Sequence, residues 1–150
     1  MNTWIYIFGV VVGLLFAIPY FLHRLRAAAI RDLTTRLGFH YLGGTLPKSF
    51  SFSEAPLDRL SSVWNVIDGE RHGTRIIAFD CRIGSGKGSW RRTVIAAKSP
   101  DDVSKGATFS HDLRVDRSGS WTILYQPPTI SLIPAGLMPV TELEAHLNAI

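Results

Sequence analysis

The chain has 150 residues, an apolar fraction of 46%, and 16 Lys and Arg against 12 Asp and Glu, for a formal charge of +4. That length holds one ordinary domain, and the regular apolar runs exclude a disordered chain. The mild basic excess, with no dense Lys/Arg stripe interleaved with aromatics, speaks against nucleic acid as a partner. The single cysteine, Cys81, excludes an intramolecular disulfide framework and agrees with a reducing compartment.

Thr3 to Leu22 reads TWIYIFGVVVGLLFAIPYFL and carries no formal charge. A helix rising about 1.5 Å per residue crosses a hydrocarbon core of roughly 30 Å with about this many residues. A cleaved signal peptide would need a basic n-region and a shorter apolar run, and a buried helix would show a polar face. Residues 1–22 are therefore expected to be a transmembrane anchor, 23–38 a juxtamembrane helix and 39–150 a cytoplasmic α+β domain. Arg24, Arg26, Arg31 and Arg36 follow the span and no Lys or Arg precedes it. The positive-inside rule then places the N-terminus outside and the domain in the cytoplasm, at the inner (cytoplasmic) membrane. Trp4, Tyr6 and Tyr20 suit an aromatic belt. Gly9, Gly13 and Ala17 share one helical stripe, a spacing that lets two anchors pack as a homodimer or simply faces lipid.

Beyond the span, Leu22, Leu25, Ala29, Leu33 and Leu37 recur at three- and four-residue steps, which predicts a helix continuing to Gly38 as its C-cap. Phe39 to Leu42 is a short strand candidate. Thr45 to Leu60 is irregular, with Phe50 and Phe52 alternating and one helical turn expected over 55–60. Val63 to Glu70, Thr74 to Arg82 and Trp90 to Lys98 are β-rich runs, separated by the Arg71-His72-Gly73 reversal and a glycine-rich connection over 83–89. Thr108 to Arg117 and Trp121 to Gln126 flank a Ser118-Gly119 turn signal. Thr129 to Ile133 is a last strand candidate. Val140 to Ile150 is helical, with Leu143 and Leu147 on one face and acids in the first turn. The expected fold is α+β: an N-terminal transmembrane helix, then a curved antiparallel sheet or small barrel with a C-terminal capping helix. The element order resembles a pleckstrin-homology-like barrel.

Motifs for chemistry fail on their details. Gly84-Ser85-Gly86-Lys87-Gly88 resembles a phosphate loop, but Cys81 stands where its first glycine belongs, Gly88 replaces the hydroxyl, and a strand follows instead of a helix. His23, His40, His72, His111 and His146 show no metal-ligand spacing, so no metal or other cofactor is expected. Cys81 with His111 would be a nucleophile pair in principle, yet nothing local activates the thiol. Asp80 is expected in a cross-strand ion pair with Arg82, Arg91 or Arg92. Trp64, Trp90 and Trp121 each fall on a strand, as core or as a ligand-binding aromatic surface.

Asn65 to Gly69, Gly73 through Phe79-Asp80, Arg92-Thr93-Val94, Trp121 to Tyr125, and Gly136 to Pro139 with Glu142 to Leu147 together form a pattern that resembles small bacterial single-pass membrane proteins of uncharacterised function. That resemblance covers residues 36–150 and implies an anchored α+β domain, with no catalytic residues to carry over. The expectation is a membrane-tethered interaction or scaffold module without catalytic activity, with the bilayer and an unknown protein as partners. The alternatives are a module binding anionic lipid headgroups through Arg24, Arg26, Arg31, Lys87, Arg91 and Arg92, and an enzyme without a recognisable motif.

Overall fold

β-branched and aromatic residues crowd into Thr74–Ile83 and Trp90–Lys98, and these two strands form the centre of the sheet. The computed structural model describes residues 3–50, 57–86, 89–98, 113–126 and 137–150. Their order is α1 (Thr3–Leu37), β1 (His40–Gly43), a single 3-10 turn (Leu57–Arg59), β2 (Leu60–Arg71), β3 (Thr74–Ile83), β4 (Trp90–Lys98), β5 (Arg114–Ser118), β6 (Trp121–Tyr125) and α2 (Val140–Ala149). The expected strand over 129–133 and Phe52 lie outside the described residues, as does the start of the run expected from Thr108.

The sheet is antiparallel, curved and six-stranded, in the order β1-β2-β3-β4-β6-β5. β1 and β5 are its edges, and among the described residues they do not pair to close a barrel. Both faces are covered, which is why Ile76–Cys81 and Thr93–Ala97 are buried without alternation. On one face Ile67, Ile76, Ala78, Ile95 and Leu124 meet Ile30 and Leu33 of α1 and Leu143 and Leu147 of α2. On the other, Val66, Ile77, Phe79, Cys81, Val94 and Ile123 pack with Phe50 and Leu57. Phe50 stands edge-on to Trp121 at 4.8 Å and to Phe79 at 5.9 Å between ring centroids.

α1 is one helix of 35 residues that passes from the apolar run into the domain with Pro19 inside it and no break at residue 22. It ends where glycine allows: Gly38 takes φ 71°, and the Phe39 N–H donates to the Thr34 carbonyl at 2.9 Å, a Schellman closure. Its buried side is only in part the one the leucine spacing suggests: Leu33 and Leu37 face inward, but the first part of the stripe does not. Leu22, Leu25 and Ala29 are exposed, while Arg26, Ile30, Leu33, Thr34 and Leu37 face the sheet. Both sets recur at three and four residues, and the inward set includes an arginine.

Candidate functional site

The inward arginine organises the junction between α1 and the domain. Arg26 lies one helical turn before Ile30, so the packing that buries Ile30 also directs Arg26 at the sheet. Its Nε donates to Asp80 Oδ2 at 2.7 Å and its Nη2 to Asp80 Oδ1 at 2.8 Å, a bidentate pair. Its Nη1 donates to the Met138 carbonyl at 2.7 Å, and Nη2 also reaches Thr93 Oγ1 at 3.0 Å. The pair is removed from solvent, with side-chain exposures of 14% for Arg26 and 1% for Asp80.

Asp80 sits on β3 opposite Thr93 of β4 and Trp64 of β2. Thr93 Oγ1 donates to Asp80 Oδ1 at 2.8 Å and accepts from the Met138 N–H at 3.1 Å. Asn65 Nδ2 donates to Asp80 Oδ2 at 2.9 Å, and Tyr41 OH donates to Asn65 Oδ1 at 3.0 Å. A bulge makes this possible. Trp64 pairs with Asp80 but Ile67 pairs with Ala78, so β2 carries an extra residue there. Asn65 takes φ 53°, a left-handed conformation that asparagine tolerates better than other non-glycine residues. The Arg31 guanidinium then lies 4.9 Å over the Tyr41 ring. The network thus joins α1, β1, β2, β3, β4 and the residue leading into α2.

Chemically this is a closed arrangement. Asp80 accepts four hydrogen bonds, which fill the acceptor sites of a carboxylate, and Thr93 Oγ1 uses one donor and two acceptor positions. No lone pair remains to take a substrate proton. The site holds parts of the fold together; Asp80 is ion-paired, but not across the strands with Arg82, Arg91 or Arg92 as expected, because α1 delivers Arg26 to it. Arg92 is on the opposite face, where its Nη1 donates to the Gln126 carbonyl and its guanidinium lies 5.1 Å from the Trp90 ring and 5.6 Å from Tyr125. Burial lowers the Arg92 pKa. Arg82 and Arg91 lie on the Asp80 face but further along the ladder.

The other expected site residues are scattered. Arg24 is exposed, 5.2 Å over the Tyr20 ring. Arg31 and Arg91 are exposed; Lys87 is outside the described residues. Arg36 bridges to Glu144 of α2 at 3.0 Å, tying the two helices at the surface. Gly9 and Gly13 have open space beside them, on the stripe that includes Ala17. Cys81 is buried on the face away from Asp80; His111 lies outside the described residues. Among the described residues no three His, Cys, Asp or Glu gather as a metal set.

Leucine spacing concealed the Arg26–Asp80 pair. The available signal was that Arg26, Ile30, Leu33 and Leu37 also repeat at helical steps, with Asp80 an acid inside the most apolar strand. Comparison with protein-family models, with curated proteins and with solved structures finds no match. The molecule is an α+β domain carried on one helix long and apolar enough to span a membrane.

Proposed function

We propose that this is a single-pass membrane protein whose α+β domain works as an interaction or scaffold module on the cytoplasmic face of the inner membrane. One observation carries the reading: α1 runs unbroken from its charge-free part into the domain core, where Arg26 pins it to Asp80. A domain so fastened does not swing on a tether; it presents a fixed side to whatever lies along the bilayer. The span itself is supported by Trp4, Phe8, Leu15 and Phe16, which are all exposed on α1 and would be costly to leave in water. The arginines after Leu22 support the orientation.

Three measurements on the full chain test it. A reporter fused after Ile150 should be active if it needs the cytoplasm and inactive if it needs an oxidising exterior, with the protein resisting alkaline extraction from membranes. In-cell crosslinking should give discrete protein adducts that disappear when Thr3–Leu22 is replaced by a soluble linker. Exterior reporter activity overturns the orientation; extraction by alkali overturns the span; the absence of anchor-dependent adducts overturns the module.

A further inference from the structure

Arg82 and Arg91 stand directly opposite each other in the β3–β4 ladder, both exposed. Like charges placed this way repel. Neither guanidinium makes an ion pair or side-chain hydrogen bond among the described residues. They occupy the face that holds Asp80 and Thr93, the face α1 crosses, since side chains two apart on a strand share a side.

Their level along α1 follows from three contacts. Arg26 is beside Asp80. His23 is beside Trp64, with ring centroids 6.3 Å apart. Phe39, just past the end of α1, covers Gly69. So α1 and β2 run in the same direction, and the far end of the ladder, where Leu60, Ile83 and Trp90 align, projects back along the apolar part of α1. Arg82 is two residues beyond Asp80, about 7 Å of strand at roughly 3.3 Å per residue. A helix covers that in about four or five residues at roughly 1.5 Å each, reaching from Arg26 to the neighbourhood of Leu22. The arginine pair is therefore level with the end of the charge-free run, where headgroups begin. Arg59, exposed, holds the same end through its carbonyl, which accepts from the Gly84 N–H at 2.9 Å. Trp90, half-exposed, ends β4 on the opposite face with Arg92, and Asp58 is an exposed acid at this end.

We propose that Arg82 and Arg91, with Arg59 at the same end of the sheet, dock on anionic phospholipid headgroups of the bilayer that α1 enters. Phosphates between the two guanidinium groups relieve their repulsion at the headgroup boundary. The proposal rests on α1 entering the bilayer, and it identifies the lipid surface as one occupant of the fixed side.

The test uses the full chain in nanodiscs of phosphatidylcholine alone or with phosphatidylglycerol as about one third of the lipid. Ser85→Cys carries an environment-sensitive fluorophore at the ladder end, while Cys81 stays buried. Anionic discs should shift the emission to the blue and shield the dye from aqueous iodide, an effect lost at high salt. R82Q/R91Q should lower the docked-to-free ratio roughly 30-fold, from the usual contribution of a basic residue at an anionic surface, and R82K/R91K should keep most of it. Co-elution of each variant with the discs confirms that α1 is inserted, which separates failure of docking from failure of the span. Equal emission in both disc types with co-elution overturns the proposal. So does an R82Q/R91Q response like the parent's, or a fall in that variant's urea midpoint, which would make the pair structural.

Discussion

Asp80 has every acceptor position taken, and its strongest partner is a charge brought from a helix 54 residues earlier. Replacing a buried ion pair with apolar groups often costs little, whereas removing one partner strands the other charge. Asp80→Ala is therefore expected to destabilise the protein by about 3–5 kcal/mol, read as a lower urea midpoint of the full chain in detergent micelles; an unchanged midpoint would contradict the lock. One residue along the strand, Cys81 points to the other face. Burial there pushes its thiol up from 9.0 to about 12, with Asp80 adding to the rise and Arg92 opposing it. Between those values the unfolded chain has lost the proton and the folded protein keeps it, so stability falls as pH rises through the window. The slope should approach about 1.4 kcal/mol per pH unit beyond that of Cys81→Ala, measured by denaturant titrations from pH 8 upward. Parallel curves for the two proteins would refute it. The same burial leaves Cys81 unreactive at neutral pH, consistent with a packing residue.

At the level of elements, the strands follow their composition closely. β4 occupies Trp90–Lys98, as its β-rich run implied, and β3 runs one residue past Arg82. β2 begins three residues earlier than expected, at Leu60, because it pairs with Ile83 and a second irregularity at Leu60–Ser62 lets the serines join the ladder. The buried face of α1 is less legible from local sequence. Periodicity in α1 supports two faces about equally well, and a polar arginine on one of them steers the choice to the other. Tertiary packing favoured the face with Ile30 because Asp80 supplied a buried countercharge. Close packing at the far end of α1 is equally specific. A Cβ added to Gly69 would lie 2.3 Å from Phe39 Cδ1, and Phe39 is a buried ring. Gly69→Ala should then cost about 1–3 kcal/mol through overpacking, with Phe39→Leu recovering part of it in the double variant. Equal urea midpoints for Gly69→Ala and the parent would show that the ring moves freely.

For the molecule as a whole, the helix that reads as an anchor is also a core element. Residues 23–38 continue the same helix and pack into the domain: Ile30 and Leu33 are as deeply buried as the centre of the sheet. The domain is built around the end of α1, so its orientation is set by the helix that carries it. This fixes which end of the sheet lies near the charge-free run, and it gives the exposed Arg82–Arg91 pair a position as well as a charge.

Local composition and charge determine much of this protein by themselves. An uncharged run of sufficient length can satisfy its backbone only as a helix in an apolar medium, and β-branched runs between glycine turns become antiparallel strands. Those properties belong to consecutive residues and are legible without a structure. The face α1 buries, the partner of Asp80 and the end of the sheet beside the charge-free run depend on residues distant in sequence. A carboxylate in the middle of an apolar strand is unfavourable until a helix delivers a guanidinium to it, and that meeting exists only once the chain is folded.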